Sequence, residues 1–363
     1  MTTTTHTTEK TTTFTTDCIS DSMVKQKRVY YNAAPLNIPW KRRRQMLSII
    51  IWLSMSLSMA ALFLTYWTHP VMFPLAIIYM SWILLDRAPE TGGRRIQWVR
   101  EWSLWTFIAE YFPIKVIKEQ DLDPKNNYLF GYHPHGILAF GAVSLFVTEG
   151  SGFSKLFPGI IPRLMTLSTN FRIPFYRELL LSMGFCSASR SSCESALKSG
   201  PGQSIAIVIG GAEEALTSCP GTNKLVLKRR LGFIRLAIRQ QASLVPVFSF
   251  GESNLYDQYS VAKGSTIGRI QSFMKKWFGI SAPLFYGRGI FNYDFGLIPY
   301  RRPVVIIVGK PISVPKMEEG QIEPSKEQIL DVQAQYIKEL TAIYDNYKDI
   351  YAKDRQQDLQ IIA

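Results

Sequence analysis

A run of forty residues, 46 to 85, contains no Asp, Glu, Lys or Arg. The apolar core of a bilayer is crossed by roughly 20 helical residues, so this run is too long for one straight span. Pro70 and Pro74 interrupt it near the middle, and proline ends or kinks a helix. We therefore predict a hydrophobic helical hairpin with helices at 46–67 and 71–85, joined by a tight bend.

The charges on both sides of this run predict its orientation in a membrane. Lys41 to Arg44 precede it, and Arg87, Arg94 and Arg95 follow it. Basic flanks stay on the cytosolic side, which favours a hairpin with both termini in the cytosol. Because the second arm is short, a partly re-entrant loop is a second interpretation. A buried helical pair in a soluble domain is a third, less favoured because soluble helices usually carry a polar face.

Differences in composition along the chain predict its division into regions. Residues 1–16 include eleven threonines, and such a low-complexity segment cannot build a core. We expect a disordered tail over 1–40, the membrane hairpin region over 41–95 and a folded, cytosol-facing domain over 96–350. Residues 351–363 are expected to form a C-terminal tail.

Beyond residue 96, short β-rich segments alternate with helix-like segments. The predicted strands are 128–132, 204–211, 243–252 and 303–312. The predicted helices are 137–148, 175–184, 231–241, 267–278 and 325–350. This alternation predicts an α/β domain with a mainly parallel sheet flanked by helices.

Two of the four histidines stand together in the sequence His133-Pro134-His135-Gly136. The segment lies between a predicted strand and a predicted helix, and open α/β sheets hold ligands at the carboxyl ends of their strands. Pro134 favours an extended His133, and Gly136 permits close approach of another group. A following helix N-terminus disfavours imidazolium and so keeps a general base neutral. The pattern favours a catalytic histidine over a structural one.

A metal centre is the rival interpretation of the paired histidines. Zinc usually has three or four protein ligands, whereas this turn offers two histidines and the chain has no HExxH sequence. The four cysteines show no CxxC spacing. We therefore expect no metal and no disulfide framework.

The segment Gly210-Gly211-Ala212-Glu213-Glu214 follows another predicted strand. A carboxylate near a neutral histidine can hold the tautomer of the ring and stabilise the imidazolium formed on protonation. The glycine amides could stabilise an oxyanion. The alternative is an ordinary helix N-terminus with acidic residues in its first turn.

Positive charge is concentrated in a short segment after these carboxylates. The chain has a net charge of +13, which indicates an anionic partner. The candidate basic residues are Lys228, Arg229, Arg230, Arg235 and Arg239. Such a segment usually forms a solvated helix face, but it could also bind the phosphates of a nucleotide-bearing substrate. No RNA-module pattern is present, so nucleic acid is not expected.

Six segments, in this order, resemble the type-2 diacylglycerol acyltransferase family, which includes monoacylglycerol and wax-ester acyltransferases. They are YFP (111–113), HPHG (133–136), PFYRELLLSMG (174–184), GGAEEAL (210–216), RRLGFIRLAIRQQASLVPVFSFGE (229–252) and FYGRGIFNYDFGLIPYRRPVVIIVGKPI (285–312). The similarity extends over about residues 40–350 and is greatest to fungal members. Each motif is weak alone, but the set is specific.

The resemblance implies acyl transfer from acyl-coenzyme A, a substrate rather than a cofactor, to the hydroxyl of diacylglycerol. It also implies residence in the endoplasmic reticulum membrane and on lipid droplets; a homo-oligomer remains open. Monoacylglycerol or a fatty alcohol is the alternative acceptor. A non-catalytic lipid-binding protein and a serine hydrolase are other classes, the latter disfavoured because no GxSxG sequence occurs.

The resemblance also suggests roles for the candidate residues. Wider glycerolipid acyltransferases place an aspartate shortly after the histidine, but no carboxylate follows His135 here. Glu214 matches the recurring glutamate of the family's GGAxE motif, whereas Glu213 occupies its variable position. We therefore expect His135 as the base and Glu214 as its orienting acid, with His133 shaping the turn or binding substrate. Gly136, Gly210 or Gly211 would supply oxyanion amides.

Overall fold

The computed structural model describes residues 33–35, 37–259, 261, 265–278, 283–317 and 320–362. The threonine-rich residues 1–16 lie outside these ranges. Within them, the helices are α1 Trp40–Thr68, α2 Phe73–Leu85, α3 Gln97–Arg100, α4 Ser103–Tyr111, α5 Phe140–Phe146, α6 Phe153–Leu156, α7 Tyr176–Met183, α8 Arg190–Leu197, α9 Gly211–Thr217, α10 Gly232–Gln240, α11 Thr266–Phe278 and α12 Lys326–Tyr351. The strands are β1 Lys115–Lys118, β2 Tyr128–His133, β3 Ile161–Thr166, β4 Phe185–Ser187, β5 Gln203–Val208, β6 Lys224–Val226, β7 Ser243–Phe250, β8 Asp257–Gln258, β9 Phe285–Tyr286, β10 Val305–Val308 and β11 Gln360–Ile362.

Seven strands form one sheet in the order β1-β10-β7-β2-β5-β3-β4. Neighbouring strands are parallel except β10 and β7, so β1 and β10 run opposite to the other five. The mixed α/β fold with a mainly parallel sheet is therefore confirmed. Every residue of β2 is buried, as expected for a central strand covered by helices on both faces.

Alternate residues of the central strands face two separate apolar layers. Phe130 and Tyr132 pack in the layer that contains α4 and α5, whereas Leu129 packs in the layer that contains α8, α10 and α12. Successive strand side chains point to opposite faces, so one strand contributes to both layers. The strand therefore fixes which side chains near its carboxyl end belong to which layer.

Three sheet strands were not predicted from the sequence. β1 has exposed lysines at both ends, Lys115 and Lys118, which suit a strand at the edge of a sheet. Arg163 interrupts the apolar pattern of β3, where its guanidinium donates to the carbonyl of Gly92 (2.7 Å). β4 has only three residues. Charged or short strands lack the apolar run on which the prediction depended.

Two apolar helices and a bend occupy the uncharged run, close to the predicted positions. α1 has 29 residues and α2 has 13, which correspond to about 43 Å and about 20 Å of helix. Among the described residues, α1 is the one helix long and apolar enough to cross a membrane. α1 begins earlier than predicted, because the basic residues after Pro39 are themselves helical.

The hairpin of α1 and α2 packs along the α/β domain. Ile49 is fully buried, the rings of Trp52 and Trp105 lie 5.4 Å apart, and those of Phe63 and Phe175 lie 5.7 Å apart. The outward-facing side is strongly apolar and exposed. Its exposed side chains include those of Leu57, Leu64, Val71, Ile78, Leu84 and Leu85. One side of the hairpin therefore belongs to the domain core, and the other is an exposed apolar surface.

One cysteine departs from the expectation that the chain has no disulfide framework. Cys186 and Cys193 are free and buried, but Cys219 is disulfide-bonded. Spacing along the chain cannot exclude such a bond, because partners meet through folding rather than through sequence proximity.

The C-terminal segment joins the folded domain. β11 pairs in parallel with β6, with Gln360 opposite Lys224 and Ile362 opposite Val226. The residues expected as a tail over 351–363 thus include a strand. This pairing holds the chain beside the segment that carries the basic residues.

Candidate active site

The HPHG turn follows β2, which lies between β7 and β5 in the parallel part of the sheet. Gly136 adopts a φ of +58°, a left-handed conformation that favours glycine. A Cβ atom at this position would lie 2.8 Å from Cγ of Glu252. Glycine is therefore required here both by backbone conformation and by the close approach of a carboxylate side chain.

His135 is half-buried, and its Nδ1 lies 3.1 Å from the carbonyl oxygen of Gly136. Because a carbonyl can only accept, this contact assigns the proton of the neutral ring to Nδ1 and leaves the lone pair on Nε2. Burial lowers the pKa of His135 below its usual 6.5. The ring is therefore neutral at physiological pH. The pKa of His135 is lowered by burial rather than by a helix N-terminus, since α5 begins only at Phe140.

His133 is completely buried. Its Nε2 lies 3.1 Å from Oη of Tyr336, and this hydroxyl donates to the carbonyl of Gly131 (3.1 Å). Since the hydroxyl has one proton, Nε2 of His133 carries the donor hydrogen. Burial lowers the pKa of His133 to about 3. This geometry fits a residue that shapes the turn better than one that binds substrate.

Glu214 lies in the first turn of α9 and is 2% exposed. Its carboxylate accepts the backbone N–H of His135 (2.9 Å) and that of Val226 (2.8 Å). The sequence suggested a contact between this carboxylate and the imidazole ring, but the carboxylate instead holds the main chain of the turn. The ring contact is taken by Gly136. Burial raises the pKa of Glu214 to about 7, against the lowering effect of both N–H groups.

Glycine is favoured at positions 210 and 211 for two different structural reasons. A Cβ atom at Gly210 would lie 1.7 Å from Cδ of Glu214, so the carboxyl group folds directly over this residue. Gly211 has a φ of +57° but open space around its Cβ position. Gly210 directly precedes α9 and Gly211 is its first residue, which also fits the helix N-terminus that the sequence left open. The oxyanion role of their amides stays a prediction.

Glu213 links the carboxylate segment to the basic segment. It forms ion pairs with Arg229 and with Nη2 of Arg230 (3.3 Å). These arginines and Lys228 precede α10 rather than lying on it, whereas Arg235 and Arg239 are on the helix.

The basic residues line a groove of about 950 Å³. Its cationic lining consists of Arg190, Arg229, Arg230, Arg235, Arg239 and Lys326. Lys228 is exposed but is not part of this lining. Arg239 pairs with Glu194 and Glu323, whereas Arg235 has no ion pair among the described residues. The groove therefore combines several cations with apolar side chains.

A second buried carboxylate, Glu252, was missed by sequence reasoning. It follows β7 and accepts hydrogen bonds from the hydroxyl of Tyr132 (2.9 Å) and the N–H of Gly141 (3.0 Å). Burial raises its pKa to about 7. Its position after a strand adjacent to β2 was a usable signal, because carboxyl ends of parallel strands meet at one edge.

The arrangement can support proton abstraction by His135. A neutral imidazole with an unprotonated Nε2 stands at the carboxyl end of β2. The buried carboxyl group of Glu214 holds the main chain of the turn, and the side chain of Glu252 packs closely against Gly136. Among the described residues, no group of three or more His, Cys, Asp or Glu side chains could hold a metal ion.

Comparisons with known proteins agree with the motifs. A family model described as diacylglycerol acyltransferase matches residues 63–362. The chain is 56% identical over 331 residues to "Diacylglycerol O-acyltransferase 2B" of Umbelopsis ramanniana, covering 91% of this chain and 95% of the relative. The corresponding values for "Diacylglycerol O-acyltransferase 2A" of the same organism are 49%, 334 residues, 91% and 93%.

A more distant relative has a different acceptor in its name. The chain is 43% identical over 311 residues to human "Acyl-CoA wax alcohol acyltransferase 1", covering 85% of this chain and 92% of the relative. No solved structure matches the chain. The family match and the high identity over almost the whole length lead to one conclusion: this chain belongs to the diacylglycerol acyltransferase family and is an acyltransferase enzyme.

Proposed function

We propose that the protein transfers a fatty acyl group from acyl-coenzyme A to the free hydroxyl of diacylglycerol, with His135 as general base. The observation that carries this proposal is the unprotonated Nε2 of a neutral, half-buried histidine at the carboxyl end of the central strand. His133 is a poorer candidate because its ring is fully buried and its Nε2 is engaged by Tyr336.

In the proposed reaction, Nε2 of His135 accepts the hydroxyl proton while the hydroxyl oxygen attacks the thioester carbonyl carbon. The carbon–sulfur bond then breaks, and the thiolate of coenzyme A leaves and takes up the proton. No covalent enzyme intermediate is needed, since a thiolate leaves readily. Glu214 acts as a positioning residue because it holds the N–H of His135. Amides near Gly136, Gly210 or Gly211 would stabilise the oxyanion.

The groove beside α10 is the proposed site for the phosphates of acyl-coenzyme A. Arginine forks suit phosphate oxygens, and charge-assisted hydrogen bonds are stronger than neutral ones. Arg230 is close enough to Glu214 to lower its pKa, so the groove lies near the proposed catalytic residues. Apolar lining from residues such as Ile207 and Leu236 could contact the less polar parts of the donor.

Diacylglycerol is the proposed acceptor because two highly similar relatives carry that activity in their names. The wax alcohol acyltransferase at 43% identity makes a fatty alcohol the second candidate. The exposed apolar side of the hairpin supports anchoring in a membrane. By family resemblance, we propose the endoplasmic reticulum membrane and lipid droplets, with both termini in the cytosol.

The test is thiol release from one labelled acyl-coenzyme A by purified enzyme, with diacylglycerol, monoacylglycerol or a fatty alcohol as acceptor. Diacylglycerol should give the highest kcat/KM, with one triacylglycerol formed per thiol released. His135→Ala should lower kcat by roughly 10²–10⁴-fold, the usual effect of losing a general base. Full activity in His135→Ala, together with loss in His133→Ala, would transfer the catalytic role to His133.

A further inference from the structure

A second cationic pocket lies beside the start of α1 and shares no lining residue with the groove along α10. Its volume is about 470 Å³. Four arginines line it, namely Arg42, Arg288, Arg301 and Arg302, and its lining contains no Asp or Glu. Among the described residues, none of these four arginines forms an ion pair with a carboxylate. Within the described ranges, the pocket therefore concentrates positive charge that no carboxylate pairs with.

Aromatic rings stack on three of the four guanidinium groups. The guanidinium of Arg288 lies 4.4 Å from the ring centroid of Tyr293, that of Arg301 lies 4.5 Å from Tyr111, and that of Arg302 lies 5.0 Å from Tyr300. Such stacking leaves the N–H edges of a guanidinium available to acceptors.

The remaining contacts of these arginines are to neutral acceptors. Arg301 donates to Oε1 of Gln45 (2.5 Å), and Arg302 donates to the carbonyl of Asn254 (3.0 Å). Burial lowers the pKa of Arg301, and the charges of Arg42 and Arg288 lower it further, against the effect of Tyr111. An anion in the pocket would relieve this repulsion, since an opposite charge stabilises the charged form.

The rim of the pocket points to where that anion comes from. The loop 290–297 contributes Tyr293 to the pocket, and its apolar side chains are exposed. Phe291 is 75% exposed, Phe295 66% and Leu297 69%. The N–H of Ala34 donates to the carbonyl of Phe291 (2.8 Å), which ties this loop to the chain entering α1.

The start of α1 likewise exposes an aromatic side chain beside the arginines of the pocket. Trp40, its first residue, is 70% exposed, and α1 then continues as the apolar helix of the hairpin. Exposed aromatic side chains beside basic groups suit the interface of a bilayer, where rings sit at headgroup depth and cations meet lipid phosphates. A soluble phosphate ligand would not explain the apolar rim.

We propose that this pocket, formed by Arg42, Arg288, Arg301 and Arg302, binds the phosphate of an anionic phospholipid while loop 290–297 and Trp40 enter the membrane interface. The binding is separate from the acyl-transfer reaction and does not require His135 to be the base. It would fix the height and tilt of the domain against the bilayer from which the acceptor comes.

The test measures ligand-induced thermal stabilisation of the full-length protein in neutral detergent, because a ligand that binds the folded state raises Tm. The probes are dioctanoyl phosphatidic acid, dioctanoyl phosphatidylcholine, coenzyme A and inorganic phosphate. Dioctanoyl phosphatidic acid should raise Tm in a saturable manner, and more than dioctanoyl phosphatidylcholine or inorganic phosphate at equal phosphate concentration. Any stabilisation by coenzyme A, which is proposed to bind in the groove along α10, should be unchanged in the arginine variant below. In Arg288→Gln/Arg302→Gln its apparent affinity should fall by about tenfold or more, as expected for loss of charge-assisted hydrogen bonds.

A matched control removes the same charge elsewhere. Lys125→Gln/Lys198→Gln changes two exposed lysines that line neither pocket, and it should bind phosphatidic acid as the wild type does. If the double arginine variant does not fold, Arg42→Gln replaces it, since Arg42 is exposed and its side chain has no partner among the described residues.

Equal losses of phosphatidic acid affinity in the lysine and arginine variants would overturn the pocket in favour of diffuse surface charge. Equal stabilisation by coenzyme A or inorganic phosphate, abolished by the arginine change, would overturn the lipid assignment. No stabilisation of the wild type by phosphatidic acid would overturn both.

Discussion

At Gly210, the missing side chain decides where the carboxyl group of Glu214 can lie. A Cβ atom there would overlap this carboxyl group at 1.7 Å, and the carboxylate holds the N–H of His135. One residue without a side chain thus determines the position of the proposed catalytic turn, through a side chain four residues later.

Gly210→Ala should therefore displace the Glu214 carboxyl and lower kcat/KM by on the order of 100-fold, the typical effect of a 1 Å misplacement. Gly211→Ala is the comparison, because its Cβ would meet nothing within 4 Å and only its φ of +57° is strained. We expect a smaller loss of activity there. Steady-state kinetics on both variants checks the order, and equal losses would show that backbone conformation matters more than the carboxyl position.

Glu213 and Glu214 form a natural pair for substitution. Glu214→Gln replaces one acceptor oxygen by an NH₂ group, which cannot accept the N–H of His135 or Val226, so activity should fall severely. Glu213→Gln should have a mild effect, because Glu213 is partly exposed and its ion pairs are at the surface. Activity assays at fixed acyl-coenzyme A decide between them; a larger loss in Glu213→Gln would contradict the assignment.

The two buried carboxyl groups should make stability depend on pH. Burial raises the pKa of Glu214 and of Glu252 to about 7, from an ordinary 4.5. Between these values the folded protein binds more protons than the unfolded chain, so stability falls as pH rises through this window. Glu252→Gln should reduce the drop in Tm between about pH 5 and about pH 8. An undiminished drop in this variant would mean that other groups cause it.

Among the elements in the described part of the chain, α12 brings a side chain from the C-terminal region to the HPHG turn. It begins with a capping box in which Ser325 and Gln328 satisfy each other's backbone N–H groups. Eleven residues after Ser325, it places Tyr336 against His133 and Gly131. The helix therefore supports the turn from the layer opposite Tyr132 and Glu252.

Tyr336→Phe should leave Nε2–H of His133 and the carbonyl of Gly131 without their buried hydroxyl partner. Such a loss costs about 1–3 kcal/mol of stability, and activity should fall with it because the turn loosens. Tyr347→Phe on the same helix is the control, since Tyr347 is only partly buried. Thermal unfolding and steady-state kinetics are measured on both variants. Equal effects in the two variants would contradict the role assigned to the hydroxyl of Tyr336.

The segment leading into α10 should govern the use of the acyl donor. Arg229→Ala with Arg230→Ala should raise KM for acyl-coenzyme A more than KM for diacylglycerol, and added salt should weaken the wild type in the same direction. If these arginines only attract an anionic membrane, both KM values would rise together and the defect would vanish in neutral micelles. The separate Glu213→Gln variant controls for the broken ion pairs.

For the whole molecule, the packing of the hairpin on the domain changes what its removal would do. Deletion of residues 46–85 would expose Trp105 and Phe175, the ring partners of Trp52 and Phe63. We expect the truncated protein to remain dependent on detergent or to aggregate, rather than to become soluble. Monodisperse, active protein in detergent-free buffer would show that the hairpin is only an anchor.

Tags at the two termini test the arrangement across the membrane. With α1 and α2 as a hairpin, both tags should be accessible from the cytosolic side in selectively permeabilised cells. The short α2 allows the hairpin to dip into the bilayer without crossing it fully, and this arrangement also keeps both termini cytosolic. A luminal N-terminus with a cytosolic C-terminus would contradict the hairpin.

Local patterns determined the parts of the protein that local physics controls. The uncharged run specified two apolar helices, and alternating segments specified a mainly parallel sheet, because periodicity and proline act over a few residues. The HPHG segment was placed at a strand end for the same reason. The strands β1 and β3 were not predicted, because both contain charged residues. The lysines of β1 are accommodated by its position at the edge of the sheet, and the arginine of β3 by the carbonyl of a residue distant in the sequence.

The tertiary structure decided which groups meet at that strand end. His135 and Glu214 are 79 residues apart, Tyr132 and Glu252 are 120 apart, and His133 and Tyr336 are 203 apart. The sequence identified Glu214 through its motif but placed its contact on the ring rather than on the main chain, and it did not identify Glu252 or Tyr336. Such contacts depend on sheet order and helix packing, which bring together residues that no short pattern relates. The burial that lowers the pKa of His135 and raises that of Glu214 has the same origin.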